Sequence, residues 1–237
     1  MKENEITDES QNIRSSIWHS SLDELKLRVE NRYSQFGYSP ETLDSKGNKS
    51  YIRHKILTSQ YNFKGKRVLD IGCGFGELNQ QLSKLTGKES YVYQGIDISD
   101  SIVNEAQKQF PDTNISFVHG EFLNYPFTEN FDYGVLAGAL NYPVKGDNYE
   151  YVFEVMKKAL SLCKDGIAFD FLSDRVDYRY EHAFYYNPMK ILEIAYGFSR
   201  RVLLRNDYFP FEFSVFVWNN DSFEKEDTTF IKYKDNI

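Results

Sequence analysis

From residue 64 onward, short apolar runs alternate with stretches whose apolar residues recur every three or four positions. The runs at 67–71, 91–96, 115–118, 133–137 and 167–172 read as strands. Between them, 77–85, 99–110 and 148–163 carry the spacing of amphipathic helices. Ser99 or Asp100 suits an N-cap, and Pro111 stops that helix. A further helix at 188–198 precedes two strands, 201–208 and 212–218, set either side of Phe209-Pro210-Phe211. That connection is too short for a parallel crossover, so these two strands form an antiparallel hairpin. Strands alternating with helices imply a sheet covered on both faces. The pattern predicts an α/β fold: a mostly parallel sheet finished by an antiparallel C-terminal hairpin, with helices on both faces.

The ends of the chain read differently. Residues 1–15 form a polar tail, and 16–62 a helical extension. Within the extension, Ser21-Leu22-Asp23-Glu24 suits a helix start before Leu25, Leu27 and Val29. Phe36-Gly37-Tyr38-Ser39-Pro40 breaks that helix, and a second short one follows at about 51–61. The core runs over 63–219, and 220–237 is a tail of mixed charge with one apolar patch, Phe230-Ile231. With no internal repeat or low-complexity linker, one domain is expected.

Composition narrows the partners. Lys plus Arg is 28 against 35 for Asp plus Glu, and the resulting net charge of −7 disfavours nucleic acid. No apolar run approaches the roughly 20 residues of a membrane helix. The first residues also lack the apolar core of a secretory signal. The only cysteines, Cys73 and Cys163, make no disulfide framework and fit a reducing compartment, so a cytoplasmic location is expected. Aromatic residues reach 16%, a surplus that can fill a core or line a cleft.

The strongest local signal is Val68-Leu69-Asp70-Ile71-Gly72-Cys73-Gly74-Phe75-Gly76. It is a buried strand running into a turn with three alternating glycines, immediately before a helix. Glycines serve where backbone adopts positive φ or passes close to a ligand. The following helix start adds N–H groups facing the same space. Asp97 ends the next strand 21 residues after Gly76, where a carboxylate can accept both hydroxyls of an adenosine ribose. The plainer alternative is glycines for packing and Asp97 as a helix cap. A dinucleotide site would want GxGxxG, and Asp70 at the mouth of the turn would repel a pyrophosphate while attracting an amino group. A ligand carrying adenosine plus an ammonium is favoured, which describes S-adenosylmethionine better than NAD.

These residues resemble the class I S-adenosylmethionine-dependent methyltransferases over 64–218. VLDIGCGFGEL looks like the family's first motif, and YQGIDIS its second, with Asp97 in the ribose position. FVHGEF resembles the third, with Glu121 in place of the usual Asp, facing the adenine amino group. FDYGVLAGAL resembles the fourth-strand motif and puts Ala137 and Gly138 beside the methionine end. The resemblance implies a Rossmann-like sheet in the order 3-2-1-4-5-7-6 with strand 7 antiparallel. It also implies S-adenosylmethionine as cofactor, bound by Asp70, Gly72, Cys73, Gly74, Gly76, Asp97, Ile98, Glu121, Phe122, Ala137 and Gly138. The N-terminal helices of this fold pack over the cleft, where Arg53 could pair with the cofactor's carboxylate. The segments RYSQFGYSPETL, AFDFLSDRVDYRYE, FYYNP and RRVLLRNDYFPFEFSVFVW are similar to a narrower bacterial group. Its members are often found beside genes for surface-polysaccharide or secondary-metabolite biosynthesis, and their substrates are mostly unassigned; the expected acceptor is a small molecule, with a sugar or nucleotide-sugar among the candidates.

In open α/β sheets, ligands bind outside the carboxyl ends of the strands. The segments leaving those ends hold Asn141 and Tyr142, and the Tyr-rich stretch 173–187 with Tyr178 and Tyr185. Tyr beside Asp and Arg suits the wall of a small-molecule acceptor site, although the same loop could simply pack on its own sheet. If the methylated atom is a hydroxyl, Asp177, His182 or Asp174 could take its proton. The plainer role for His19, His54, His119 and His182 is surface or packing. No HxxxH or CxxC pair suggests a metal. Two rivals stand beside methyl transfer to an oxygen or nitrogen: a cofactor-binding scaffold without turnover, and an NAD-dependent oxidoreductase.

Overall fold

The apolar runs of the sequence lie side by side in one sheet. The computed structural model describes residues 8–44 and 49–223, together with 228, 231 and 234. Its helices are α1 (Asp8–Phe36), α2 (Lys49–Leu57), α3 (Glu77–Thr86), α4 (Asp100–Gln109), α5 (Asn148–Leu162) and α6 (Pro188–Phe198). Its strands are β1 (Arg67–Ile71), β2 (Val92–Asp97), β3 (Ile115–His119), β4 (Phe131–Leu136), β5 (Cys163–Leu172), β6 (Val202–Arg205) and β7 (Glu212–Trp218). Short 3₁₀ turns occupy Pro40–Leu43 and Ala139–Asn141. The sheet order is β3-β2-β1-β4-β5-β7-β6, as the resemblance implied, with β7 antiparallel to β5 and, as the short connection required, to β6.

Alternation along each strand divides the core into two layers. Val68, Tyr93, Tyr133, Ala168 and Phe216 face α2, α3 and α4. Leu69, Leu136, Phe169, Val215 and Val217 face α5 and α6, and Trp18 of α1 joins this second layer. Ser99 caps α4, its Oγ accepting from the N–H of Ile102 at 3.2 Å. Asn187 caps α6 ahead of Pro188.

The N-terminal helix differs from expectation. It begins at Asp8, so the stretch read as a tail overlaps it from residue 8, while 1–7 lie outside the described residues. No glycine or proline interrupts 8–36, and Ser21 lies inside the helix instead of starting it. The Ser21 hydroxyl accepts from the N–H of Lys145 at 2.8 Å. Three other boundaries move, two of them beside an aromatic side chain that finds a partner. Tyr61 lies beyond the end of α2, stacks on Tyr133 at 4.4 Å and donates to the carbonyl of Ile167 at 2.6 Å. β6 stops at Arg205, and Tyr208 beyond it bonds Ser214 across the hairpin at 2.8 Å. β5 starts at Cys163, directly after α5, with a register irregularity against β4 between Phe131 and Tyr133. The Phe230-Ile231 patch falls partly outside the described residues. Among those described, no helix is long and apolar enough to cross a membrane.

Helix α1 is held mostly by polar contacts, and Trp18 is its main apolar anchor, 7% exposed and edge-on to Tyr151 at 5.3 Å. Trp18→Ala is expected to cost roughly 3–5 kcal/mol of helix docking. Amide hydrogen exchange should show α1 losing protection while β1 and β4 keep theirs.

Candidate cofactor and acceptor site

The turn after β1 is built so that only glycine fits. Gly72 and Gly76 have φ of 69° and 80°, and a Cβ on Gly72 would lie 2.4 Å from that of Ala139. The turn also spends its own donors. The N–H groups of Gly72 and Cys73 both bond the carbonyl of Ile96, at 2.8 and 3.0 Å. Gly76 N–H bonds the carbonyl of Cys73 at 2.9 Å, and Gly74 N–H goes to Asp97 Oδ2 at 3.0 Å. The N–H groups of the four residues are therefore spent inside the fold, so the turn's own glycines offer a pyrophosphate few donors.

The carboxylate of Asp97 is half-buried at the end of β2, its other oxygen accepting from Ser99 N–H at 3.0 Å. Each oxygen keeps a lone pair for a ligand hydroxyl. Asp70 lies beneath the turn, 2% exposed, and accepts from the Tyr93 hydroxyl at 2.6 Å. Burial pushes its carboxyl up to about 7, and the nearby charges of Asp97 and Glu77 add to the rise. Its effect on a ligand is thus that of charge from below.

The other expected cofactor residues separate into those facing the strand ends and those facing the core. Glu121 is anchored through Oε2 by His19 Nδ1 at 2.8 Å and Asn124 Nδ2 at 2.9 Å. The Ile98 carbonyl bonds His119 Nε2 at 3.1 Å. Gly138 turns the chain out of β4 with φ of 81° and donates its N–H to Asp170 at 2.6 Å. Ala137 is half-buried and packs on the α3 side of the sheet. Phe122 and Cys73 lie at the same strand ends with side chains 7% exposed and packed in the two core layers, which leaves mainly their backbone to face the cleft.

Arg53 is no free cation. Its Nε lies 2.8 Å from Asp170 Oδ2, and Nη2 pairs with Glu212. Both acids are buried, and although burial opposes it, the two carboxylates hold the guanidinium charge firmly. Nη1 sits 3.5 Å from the Cβ position of Gly138, so one edge of the guanidinium reaches the end of β4. The sequence reading missed Asp170 and Glu212. Their signal was one acid in each otherwise apolar run, IAFDFL and EFSVFVW.

On the acceptor side, Asn141 is a brace. Its Oδ1 accepts from Leu172 N–H at 2.8 Å, and its carbonyl from Phe184 N–H at 2.9 Å. Tyr142 is half-buried under Arg28, whose guanidinium lies 5.5 Å from the ring centre. Tyr178 and Tyr180 are 70% and 56% exposed, edge-on to each other at 5.1 Å, with His182 next to Tyr180. Tyr185 accepts from the N–H of Tyr180 at 3.0 Å beneath Arg179. Asp174 accepts from Asn187 Nδ2 at 3.1 Å through Oδ2, while its buried Oδ1 pairs with Arg175 Nε at 3.5 Å. Asp177 is exposed on the same loop.

Comparisons with known proteins agree with this geometry. Residues 68–162 match the methyltransferase-domain family. A 2-phytyl-1,4-naphtoquinone methyltransferase of Nostoc punctiforme is 37% identical over 81 residues, 32% of this chain and 35% of that protein. A demethylmenaquinone methyltransferase of Staphylococcus saprophyticus is 33% identical over 102 residues, 40% of this chain and 43% of its own. The chain thus spans well under half the length of these curated relatives. Among solved structures, the Synechocystis magnesium protoporphyrin IX methyltransferase with bound SAH superposes with a TM-score of 0.58 at 17% identity. It covers 89% of this chain and 99% of its own. The fold is that of the class I methyltransferases. A Haemonchus contortus phosphoethanolamine N-methyltransferase shares it at a TM-score of 0.57 and 16% identity, over 76% of this chain and 46% of that one.

Asp70 gives the site a pH signature. Its folded carboxyl is raised above the ordinary 3.8, so the stability it contributes is complete below that value and lost as pH rises through about 7. Asp70→Asn removes this loss. Thermal unfolding should place the variant above the parent at pH 8, with the gap closing toward pH 4.

Proposed function

We propose that the chain is an S-adenosylmethionine-dependent methyltransferase acting on a ring-bearing small molecule. The observation that carries this is Asp97, held by the glycine turn and the start of α4 with spare lone pairs at the cleft. Around it the turn withholds donors from an anion, while Asp70, Glu77 and Asp97 offer negative charge to a cation. An adenosine ligand with a sulfonium and an ammonium suits that field. In this reading Asp97 takes the ribose, Glu121 the adenine amino group, and Ala137 and Gly138 border the methionine end. Arg53 Nη1 is the donor for its carboxylate.

When bound, the cofactor supplies an electrophilic methyl carbon and a thioether leaving group. What the protein adds is alignment and water exclusion, which can supply much of the barrier reduction. The family match ends at residue 162, so the acceptor is read from the loop beyond it. Tyr178, Tyr180 and His182 offer ring faces, and Arg175 and Arg179 cationic edges. Quinols, as the relatives' names suggest, and sugars, as the narrower resemblance suggests, both have a face to lay on these rings. Asp174, Asp177 and His182 of this loop are the bases this reading offers, one of them accepting the proton that the acceptor's hydroxyl or amine gives up as its lone pair bonds the methyl carbon and the thioether departs.

Asp97→Ala should weaken S-adenosylmethionine binding about 100-fold by calorimetry, the cost of two charged hydrogen bonds; unchanged affinity would refute the ribose assignment. Labelled methyl transfer to naphthoquinols, catechols and amino sugars identifies the acceptor. With that acceptor, Tyr178→Ala should lower kcat/KM about tenfold and leave cofactor affinity intact. Loss of both would mean that the loop supports the cofactor site instead.

A further inference from the structure

Along α1, the residues His19, Asp23, Lys26, Glu30 and Tyr33 recur at alternating steps of four and three, which places them on one helix face. That face is polar and meets the ends of β2 and β3. Glu30 accepts from the Ser99 hydroxyl at 2.7 Å, Lys26 lies 3.5 Å from His119 Nε2, and Tyr33 donates to Glu105 at 3.1 Å. At its N-terminal end His19 reaches Glu121, a residue 102 positions away in sequence. Neighbouring Trp18 is buried against Tyr151, so the backbone that carries His19 is fixed.

Glu121 stands next to Gly120, whose N–H bonds the carbonyl of Asp97 at 2.9 Å. The two acids thus lie at adjacent strand ends. A glutamate has one rotor more than an aspartate and loses more side-chain entropy when held in one pose. Here two donors hold it, His19 and Asn124, both on Oε2. Among the described residues Oε1 takes no hydrogen bond. The Glu121 side chain is 13% exposed, while that of His19 is 58% exposed, so the contact bridges a sheltered acid and a solvent-facing ring. Asp23 lies 3.7 Å from the other ring nitrogen of His19 and favours its charged form.

We propose that His19 is a positioning residue for cofactor recognition, fixing Glu121 so that Oε1 is presented to the adenine amino group. This rests on the methyltransferase reading above. It makes α1 part of the cofactor site, with specificity for a 6-amino purine carried by two residues that the chain brings together only on folding.

The test compares S-adenosylhomocysteine with S-inosylhomocysteine, in which an oxo group replaces the purine amine, by calorimetry on the full chain. The parent should prefer the adenine ligand by at least about tenfold. His19→Ala should weaken the adenine ligand about five- to tenfold and leave the inosine ligand within about twofold. His19→Gln, which keeps a donor, should recover most of the loss, and Glu121→Gln should make His19→Ala silent. Equal weakening of both ligands by His19→Ala would assign it a structural role and overturn the proposal. So would an unchanged adenine affinity, or a parent that binds both ligands equally. A parent that binds neither refutes the cofactor reading, and this inference falls with it.

Discussion

The carboxylate of Asp97 joins three parts of the cleft. One oxygen closes the glycine turn through Gly74 N–H, the other receives Ser99 N–H at the start of α4, and the residue itself ends β2. Remove it and the turn loses a partner and the helix start loses an acceptor. Parallel sheets collect their strand ends at one edge, so a residue there can act on several elements at once. The Ser99 cap and the Glu30 contact to the same serine extend this tie to α1.

A second constraint is the sign of the buried charge. Asp70, Asp97 and Glu77 surround the turn, and Asp170 and Glu212 share one guanidinium, Arg53. Two carboxylates against one cation leave surplus negative charge in a poorly solvated place, where it acts strongly. Burial pushes Asp170 upward against the pull of Arg53, so its proton is held more tightly than that of an ordinary aspartate. With that proton present, Arg53 can offer Nη1 to a ligand carboxylate; without it, the cluster favours a cation. Either state suits a zwitterionic amino-acid end better than a phosphate.

The sheet was largely legible in the sequence because its strands are covered on both faces and interrupted by well-capped helices. The strand order and the antiparallel seventh strand were implied by the resemblance to the class I methyltransferases, and the short 209–211 connection required the last two strands to be antiparallel to each other. Asp97 was legible because its spacing from the glycines is set by one helix and one strand. Features that depend on long-range partners were not. Nothing local shows that the glycine turn spends its own donors on Ile96 and Asp97. Asn141 looked like a ligand group, yet it spends its amide oxygen on Leu172. The polar stripe of α1 carries no apolar period, so the start of the helix and the contact of His19 with Glu121 were hidden. Its four-three spacing was the one local sign.

Central to this account is a cleft that accepts adenosine joined to a cation and rejects a pyrophosphate. Calorimetric titration of the protein with S-adenosylmethionine, S-adenosylhomocysteine and NAD in parallel tests that most directly. The account predicts binding of both sulfur ligands at about micromolar Kd and no heat with NAD. Binding of NAD with silence from the two sulfur ligands would contradict it.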